Sequence, residues 1–364
     1  GHKVTVYEKR KFLGGMLRYG IPSYRLPREI LEKEIETILS TGIDVKMGID
    51  IGTDVTFEEI RGNFDATYIA IGAHTDNKLG IEGEDGNGVI SAVEMLRMIG
   101  DGDMPDFSGK NIVVIGGGNV AMDCTRSSMR LGAKSVTCVY RRRREDMTAM
   151  PEEVEGAMAE DCDILELMTP EKIELDENGN VRALWVAPQM ISNIKRGRPA
   201  PIRTEEPLRK LDCDMIIVAI GQAIESHHFA SSGVQTKWGR IMADMKTIVS
   251  DHEGLFSGGD CVTGPASAIM AIAAGKTAAA NIDHYLGFDS KISVDVDLPE
   301  PPIAPQPPCG RINLTERSAE ERKRDFLLME NSMTLQQAFQ EASRCLRCDK
   351  FGYGALKGGR IFKW

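Results

Sequence analysis

The residues best placed to do chemistry are Gly116, Gly118 and Ala121. They stand in the run Asn111-Ile112-Val113-Val114-Ile115-Gly116-Gly117-Gly118-Asn119-Val120-Ala121-Met122-Asp123. An apolar strand that runs into a glycine turn and then a helix can hold a pyrophosphate. Gly116 permits the tight turn. Gly118 lets backbone N–H groups approach the phosphates, where a side chain would block them. Ala121 lets the helix pack closely on the strand. Asn119, Val120 and Ala121 open the helix, so their N–H groups face an anion at the positive end of the helix dipole. A plain strand–turn–helix would share the glycines, but a second strand at 135–140 completes a dinucleotide-binding unit.

That second strand ends in Arg141-Arg142-Arg143-Arg144. An NAD site usually has a carboxylate about 20 residues past the glycines, on the ribose 2′-OH. Here guanidinium forks stand instead, and Arg141 and Arg142 suit the 2′-phosphate that NADP carries. Glu145 lies close enough to compete, which leaves NAD open. The arginines also fit a solvated basic corner, or a salt-bridge face for Glu145 and Asp146.

A second nucleotide site is marked by two separate stretches. Val4-Thr5-Val6-Tyr7-Glu8 reads as a strand with an acid at its tip, Glu8 being placed for an adenosine ribose. It resembles the second strand of a nucleotide-binding unit whose first strand and phosphate loop would lie upstream or on another chain. A plain N-terminal hairpin is the alternative. Further on, Gly254-Leu255-Phe256-Ser257-Gly258-Gly259-Asp260 is an apolar strand ending in small residues and one acid. Asp260 suits a ribityl hydroxyl, or else a cap or turn. Ala266, Ser267 and Ala268 open an Ala/Gly-rich helix whose N-terminus can stabilise negative charge. The strands 66–73 and 211–222 repeat one pattern and close at Gly72 and Gly221, as two similar domains would.

Composition narrows the class. At 364 residues the chain has room for two or three domains. A formal charge of −10 argues against a nucleic-acid partner. No apolar run reaches the roughly 18 residues of a membrane span. Eight cysteines, mostly scattered singly, suggest reduced thiols in a cytoplasm. Cys124 and Cys138 read as small core residues, and Cys261 follows Asp260 in the second nucleotide site. No Cys-x-x-Cys lies within 92–225, which argues against electron transfer to a disulfide there. Cys345-x-x-Cys348, with Cys309, could ligate a metal or an iron–sulfur cluster, or be surface thiols. The six histidines show no metal spacing, the side chains of His227 and His228 are expected to diverge, and His74 is expected at an interdomain cleft.

Together these residues resemble two-dinucleotide-domain flavoprotein oxidoreductases, and within them the family of the glutamate synthase small (beta) subunit. Its relatives include the NADPH-binding subunits of ferredoxin:NADP transhydrogenases and dihydropyrimidine dehydrogenase. The resemblance covers nearly the whole chain. It rests on Gly14-Gly15-Met16-Leu17-Arg18-Tyr19-Gly20-Ile21-Pro22 with Arg25-Leu26-Pro27, on 116–123, on Tyr140-Arg141-Arg142 and on Gly258-Gly259-Asp260. It implies FAD wrapped by the first stretch, including Gly14, Gly15, Leu17, Arg18, Ile21 and Arg25. It also implies Gly259 and Asp260 on the ribityl and pyrophosphate region, and NADPH as hydride donor. Met150, Pro151 and Glu152 would lie near the nicotinamide end. The sequence departs from the family in lacking the FAD phosphate loop and the N-terminal iron–sulfur domain. Its Arg344-Cys345-Leu346-Arg347-Cys348 segment stands near the C-terminus, not at the other end.

The expected fold is α/β: two Rossmann-like dinucleotide-binding domains plus a C-terminal helical tail. An FAD domain of 1–91 and 226–288 would hold an inserted NAD(P) domain of 92–225. A hairpin at 182–190 and 203–209 would be added to the latter, with a polar loop at 176–180. The region 289–364 would be a proline-rich strap (299–308) and a tail with helices at 319–330 and 335–347, the second capped by Thr334. Hydride transfer between NADPH and FAD needs no side-chain acid or base, so no catalytic residue is expected. The expected role is an FAD-dependent NAD(P)H oxidoreductase. It would pass electrons to iron–sulfur clusters or a partner subunit, within a hetero-oligomer or a longer polypeptide. A non-catalytic nucleotide-binding scaffold of a redox complex is the rival reading.

Overall fold

The protein is described here by a computed structural model covering residues 1–195, 197–244, 246–249, 251–290 and 309–345. Its largest parallel sheet has five strands in the order Val89–Ser91, Met215–Val218, Asn111–Ile115, Ser135–Val139 and Asp163–Leu165. The central strands are continuous apolar runs because helices and a second sheet cover both faces. Val114 and Ile217 are buried on one side with Met95, Leu96 and Met122. Val113, Ile115 and Ile216 pack on the other against Leu184 and Val186. Each fully buried side chain of this size contributes about 1.5–3 kcal/mol. The sheet starts at Val89, ahead of the boundary expected at 92.

The second sheet is larger than the expected hairpin. It is antiparallel and built from Met168–Leu175, Val181–Lys195, Arg198–Arg203 and Arg209–Asp212. Residues 204–208, expected within a strand, instead join two strands. Pro207 cannot donate to a ladder. The loop at 176–180 is a turn in which Asp176 accepts the N–H groups of Asn178 and Asn180.

In the other half, Thr5–Glu8 pairs in parallel with Asp44–Met47 across a crossover that contains Arg28–Leu39. Parallel pairing excludes the hairpin alternative. Thr67–Ile69 pairs in parallel with Leu255–Ser257. A third core gathers Phe57, Ile69, Phe229, Val234 and Leu255. Phe57–Asn63 begins with a capping box between Thr56 and Glu59. The two connections between the halves run side by side, where Thr75–Asp76 pairs with Gln222–Ala223.

The tail differs from expectation. The helix expected at 319–330 is only Ala319–Arg322. Beyond it the chain straightens, because Met329 donates its N–H to the Tyr24 carbonyl at 3.0 Å and accepts that of Arg317 at 2.8 Å. Leu335–Ser343 forms with the expected Thr334 cap, as a capping box with Gln337.

Candidate functional site

The glycine turn divides into positions that the fold requires and one that it does not. A Cβ on Gly116 would lie 2.3 Å from the Ala219 carbonyl oxygen, and one on Gly117 would lie 2.3 Å from the Tyr140 ring. A Cβ on Gly118 meets nothing nearer than Thr148 Oγ1 at 3.6 Å. Its backbone, at φ −103° and ψ 177°, is open to any residue. Gly118 is therefore not dictated by packing, and the space beside it is open to a ligand. It precedes Asn119–Arg130, whose N-terminus has no side-chain cap, so first-turn N–H groups of that helix are free for an anion. Ala121 is fully buried against the strand. The Asn119 side chain is engaged elsewhere: its Oδ1 accepts the Met150 N–H at 2.9 Å and so holds the loop 148–150 over the turn.

The arginine corner also divides. Arg143 pairs with Glu145 at 2.6 Å and with Asp146 at 2.8 Å. This is the salt-bridge face considered from the sequence, and it occupies the carboxylate that would favour NAD. Arg142 donates through Nε to the Pro199 carbonyl at 2.6 Å. Arg141 is exposed, with no hydrogen bond or ion pair to the described residues.

Candidate residues in the other half have mixed settings. Gly15 at φ 50° and Gly259 at φ 74° take positive-φ conformations; a Cβ on Gly15 meets open space, and one on Gly259 meets only Ala271 Cβ at 3.9 Å. Gly14, also at positive φ, lies against Leu31 and Arg18. Leu17 and Ile21 are half-buried. Gly72 and Gly221 have φ 67° and 121°, so conformation alone already favours glycine there. Beside Gly221, the buried Gln222 Nε2 has no partner among the described residues, a polar group the sequence reading missed. Glu8 uses Oε1 to accept the Arg10 N–H at 2.7 Å. Asp260 uses Oδ1 to accept the Ala266 N–H at 3.2 Å, and burial raises its pKa against that bond. Ser267 and Ala268 begin Ala268–Tyr285, an apolar helix whose start has no side-chain cap. Among the described residues only Ala278 of that helix is buried, while Ile269 is 71% and Ile272 58% exposed.

Two arginines assigned to the flavin by resemblance are tied to protein. Arg18 donates to the Gly100 carbonyl and to Glu32, and stacks on Phe12. Arg25 holds Asp123 at 2.9 Å and Glu153 at 3.1 Å. It belongs to a buried network that sequence reasoning missed. Arg126 binds Glu153 at 2.5 Å and Glu160 at 2.6 Å. Arg130 binds Glu160 at 2.5 Å, and Arg322 of the tail binds Glu160 at 2.7 Å and also Glu316. Burial opposes ionisation of Glu160, but hydrogen bonds from Arg130 and Arg126 win and hold it at about 2. Asp123 goes the other way. Burial outweighs Arg25 and pushes it up to about 7. The network joins segment 22–28, the helix after the glycine turn and the tail.

Cys124 and Cys138 are fully buried core residues, as expected, and free of disulfides. Cys309 and Cys345 are exposed and free, while Cys348 lies outside the described residues. His74 is half-buried, and burial with Arg10 and Lys9 lowers its pKa to about 4. The histidine reading needs correction: His227 and His228 do not diverge. Their ring centroids are 3.8 Å apart, and donor atoms of both lie within 4.8 Å of each other and of Glu225. The pair opens the short helix His227–Ser231.

Comparison with known proteins identifies the family and the fold. The family model described as pyridine nucleotide-disulphide oxidoreductase matches residues 1–275. The chain is 37% identical to the beta subunit of the NADP(+)-dependent formate dehydrogenase of Moorella thermoacetica, over 98% of the chain and 53% of that protein. It is 32% identical to the glutamate synthase [NADPH] small chain of Escherichia coli (strain K12), over 79% of the chain and 64% of that protein. The chain thus spans little more than half the length of the first of these relatives and under two thirds of the second. The Mycobacterium tuberculosis FprA structure in complex with NADPH shares the fold, with a TM-score of 0.66, 18% identity and 78% of each chain covered. No described helix is long and apolar enough to cross a membrane. A putative glutamate synthase [NADPH] small chain of Cereibacter sphaeroides is 31% identical over 81% of this chain and 74% of that protein. The chain belongs to the pyridine nucleotide-disulphide oxidoreductase family, in the branch of the glutamate synthase small chains.

Proposed function

We propose that this chain is the NADPH-oxidising flavoprotein part of a larger cytoplasmic redox protein or complex. The observation that carries the reading is Gly118, a glycine whose Cβ direction is open, before a helix start without a side-chain cap. NADPH lies with its pyrophosphate on Gly118 and the first N–H groups of Asn119–Arg130, and its 2′-phosphate against Arg141. Arg142, tethered to the Pro199 carbonyl, contributes its remaining donors. Residues 92–225, with the strand from Val89, form this NADP domain. The rest of 1–91, with 226–288, forms the flavin domain; the strap expected at 299–308 lies outside the described residues, and 309–345 belong to the tail.

The residues of the second half fit FAD. Gly15 leaves open space, Gly259 makes only an ordinary contact with Ala271, Glu8 and Asp260 each keep one carboxylate oxygen free of the bonds described, and the start of Ala268–Tyr285 has no side-chain cap. We read the exposed apolar first turns of that helix as the surface against which flavin and a strand from a further segment pack. Bound FAD supplies the hydride acceptor and the conversion from two-electron to one-electron chemistry. This chain's residues orient the dinucleotides and exclude water; none is needed as acid or base. The outlet is an iron–sulfur partner. Related chains are named as subunits of multi-subunit enzymes, among them the NADPH-Fe(3+) oxidoreductase beta subunit of Geobacter sulfurreducens. Cys309, Cys345 and Cys348 are candidate ligands at that outlet.

The test is NADPH-dependent reduction of an artificial dye by the intact protein, with FAD added and omitted. Flavin-dependent turnover supports the reading. Tight FAD binding without turnover would favour a nucleotide-binding scaffold.

A further inference from the structure

We propose that Glu225, His227 and His228 form a site for a divalent cation of the zinc class. Each offers a donor atom, and the three atoms lie within 4.8 Å of one another. Two imidazole nitrogens and one carboxylate oxygen are a donor set that zinc takes, with water as fourth ligand. Ligands about 2.1 Å from a tetrahedral centre lie about 3.4 Å apart. Rotation of the exposed Glu225 and His227 side chains closes that difference.

The surroundings favour the site. The His228 ring lies over Gly52, where a Cβ would come within 2.4 Å of it, so this imidazole already has a fixed seat. Glu225 has Lys9 at 3.3 Å, but Lys9 also reaches Asp50 at 3.8 Å. A cation can therefore take Glu225 without leaving the ammonium unpaired. The site stands two residues past Gln222–Ala223, the second connection between the halves. Occupancy replaces the tie between Lys9 and this connection with a metal chelate.

The full chain is titrated with Zn2+ against a chromophoric chelator after its accessible thiols have been alkylated, so that Cys309 and Cys345 cannot hold the ion. One zinc per chain is expected. Uptake should vanish in the double variant His227→Ala/His228→Ala and weaken at least tenfold in Glu225→Gln, with unchanged circular dichroism. A second measurement needs no variant: zinc should protect His227 and His228 from diethylpyrocarbonate, located by peptide mass. No uptake by the alkylated chain, equal uptake by the double variant, or equal reactivity with and without zinc would overturn the site.

Discussion

At the residue scale, the three consecutive glycines have different physical reasons. At Gly116 a methyl group collides with the Ala219 carbonyl, so Gly116→Ala should lower the melting temperature and nucleotide binding together. At Gly118 the same methyl group enters open space, so the Gly118→Ala protein should fold normally. Its affinity for NADPH should nonetheless fall tenfold or more, read by calorimetric titration. Loss of stability instead of affinity would remove Gly118 from the proposed site. Arg141→Ala should cost the charge-assisted bonds to a 2′-phosphate, about 1.5–3 kcal/mol, hence roughly a 10- to 150-fold loss of preference for NADPH over NADH. Arg143→Ala, which releases Glu145 and Asp146, should change that preference far less. Steady-state kinetics with both nucleotides separate the two variants.

At the element scale, the buried charge network is the main structural device outside the nucleotide turn. Glu160 receives Arg126 and Arg130 from one helix and Arg322 from the tail. Removing one partner from a buried pair leaves charges uncompensated, so Glu160→Gln should destabilise by about 3–5 kcal/mol, measured by denaturant unfolding. The pH dependence has a definite sign. The folded pKa of Glu160, about 2, lies below the ordinary 4.5. Its contribution is complete above about pH 4.5 and is lost as pH falls towards about 2. Glu160→Gln should flatten this acid limb of stability. An unchanged limb would mean that other carboxylates carry it.

Sequence made one kind of element legible and hid the other. The strand Asn111–Ile115, its turn and the helix after it are local in sequence, so their pattern could be read directly. The contact between Arg322 and Glu160 spans 162 residues and leaves no local pattern. The tail at 319–330 has helical composition, yet pairing of Met329 with Tyr24 draws most of it out straight, a tertiary override of propensity. Adjacency in the chain predicts that His227 and His228 diverge, but side-chain torsions, which sequence does not reveal, bring their rings together, with centroids 3.8 Å apart.

At the scale of the whole molecule, two nucleotide-binding halves meet at the pairing of Thr75–Asp76 with Gln222–Ala223. This organisation was readable because each half repeats an apolar strand ending in glycine. The extent of the antiparallel sheet was not, because its long strand Val181–Lys195 shifts register against both Met168–Leu175 and Arg198–Arg203 and so breaks a strict alternation. The central claim is that NADPH delivers hydride to flavin on this chain. Its most direct test is the visible spectrum of the intact flavin-loaded protein, followed anaerobically by stopped flow with NADPH and, separately, NADH. The account predicts that the flavin band bleaches with both, and much faster with NADPH. A band untouched by either nucleotide would contradict the enzyme reading, and faster bleaching by NADH would contradict the role of Arg141.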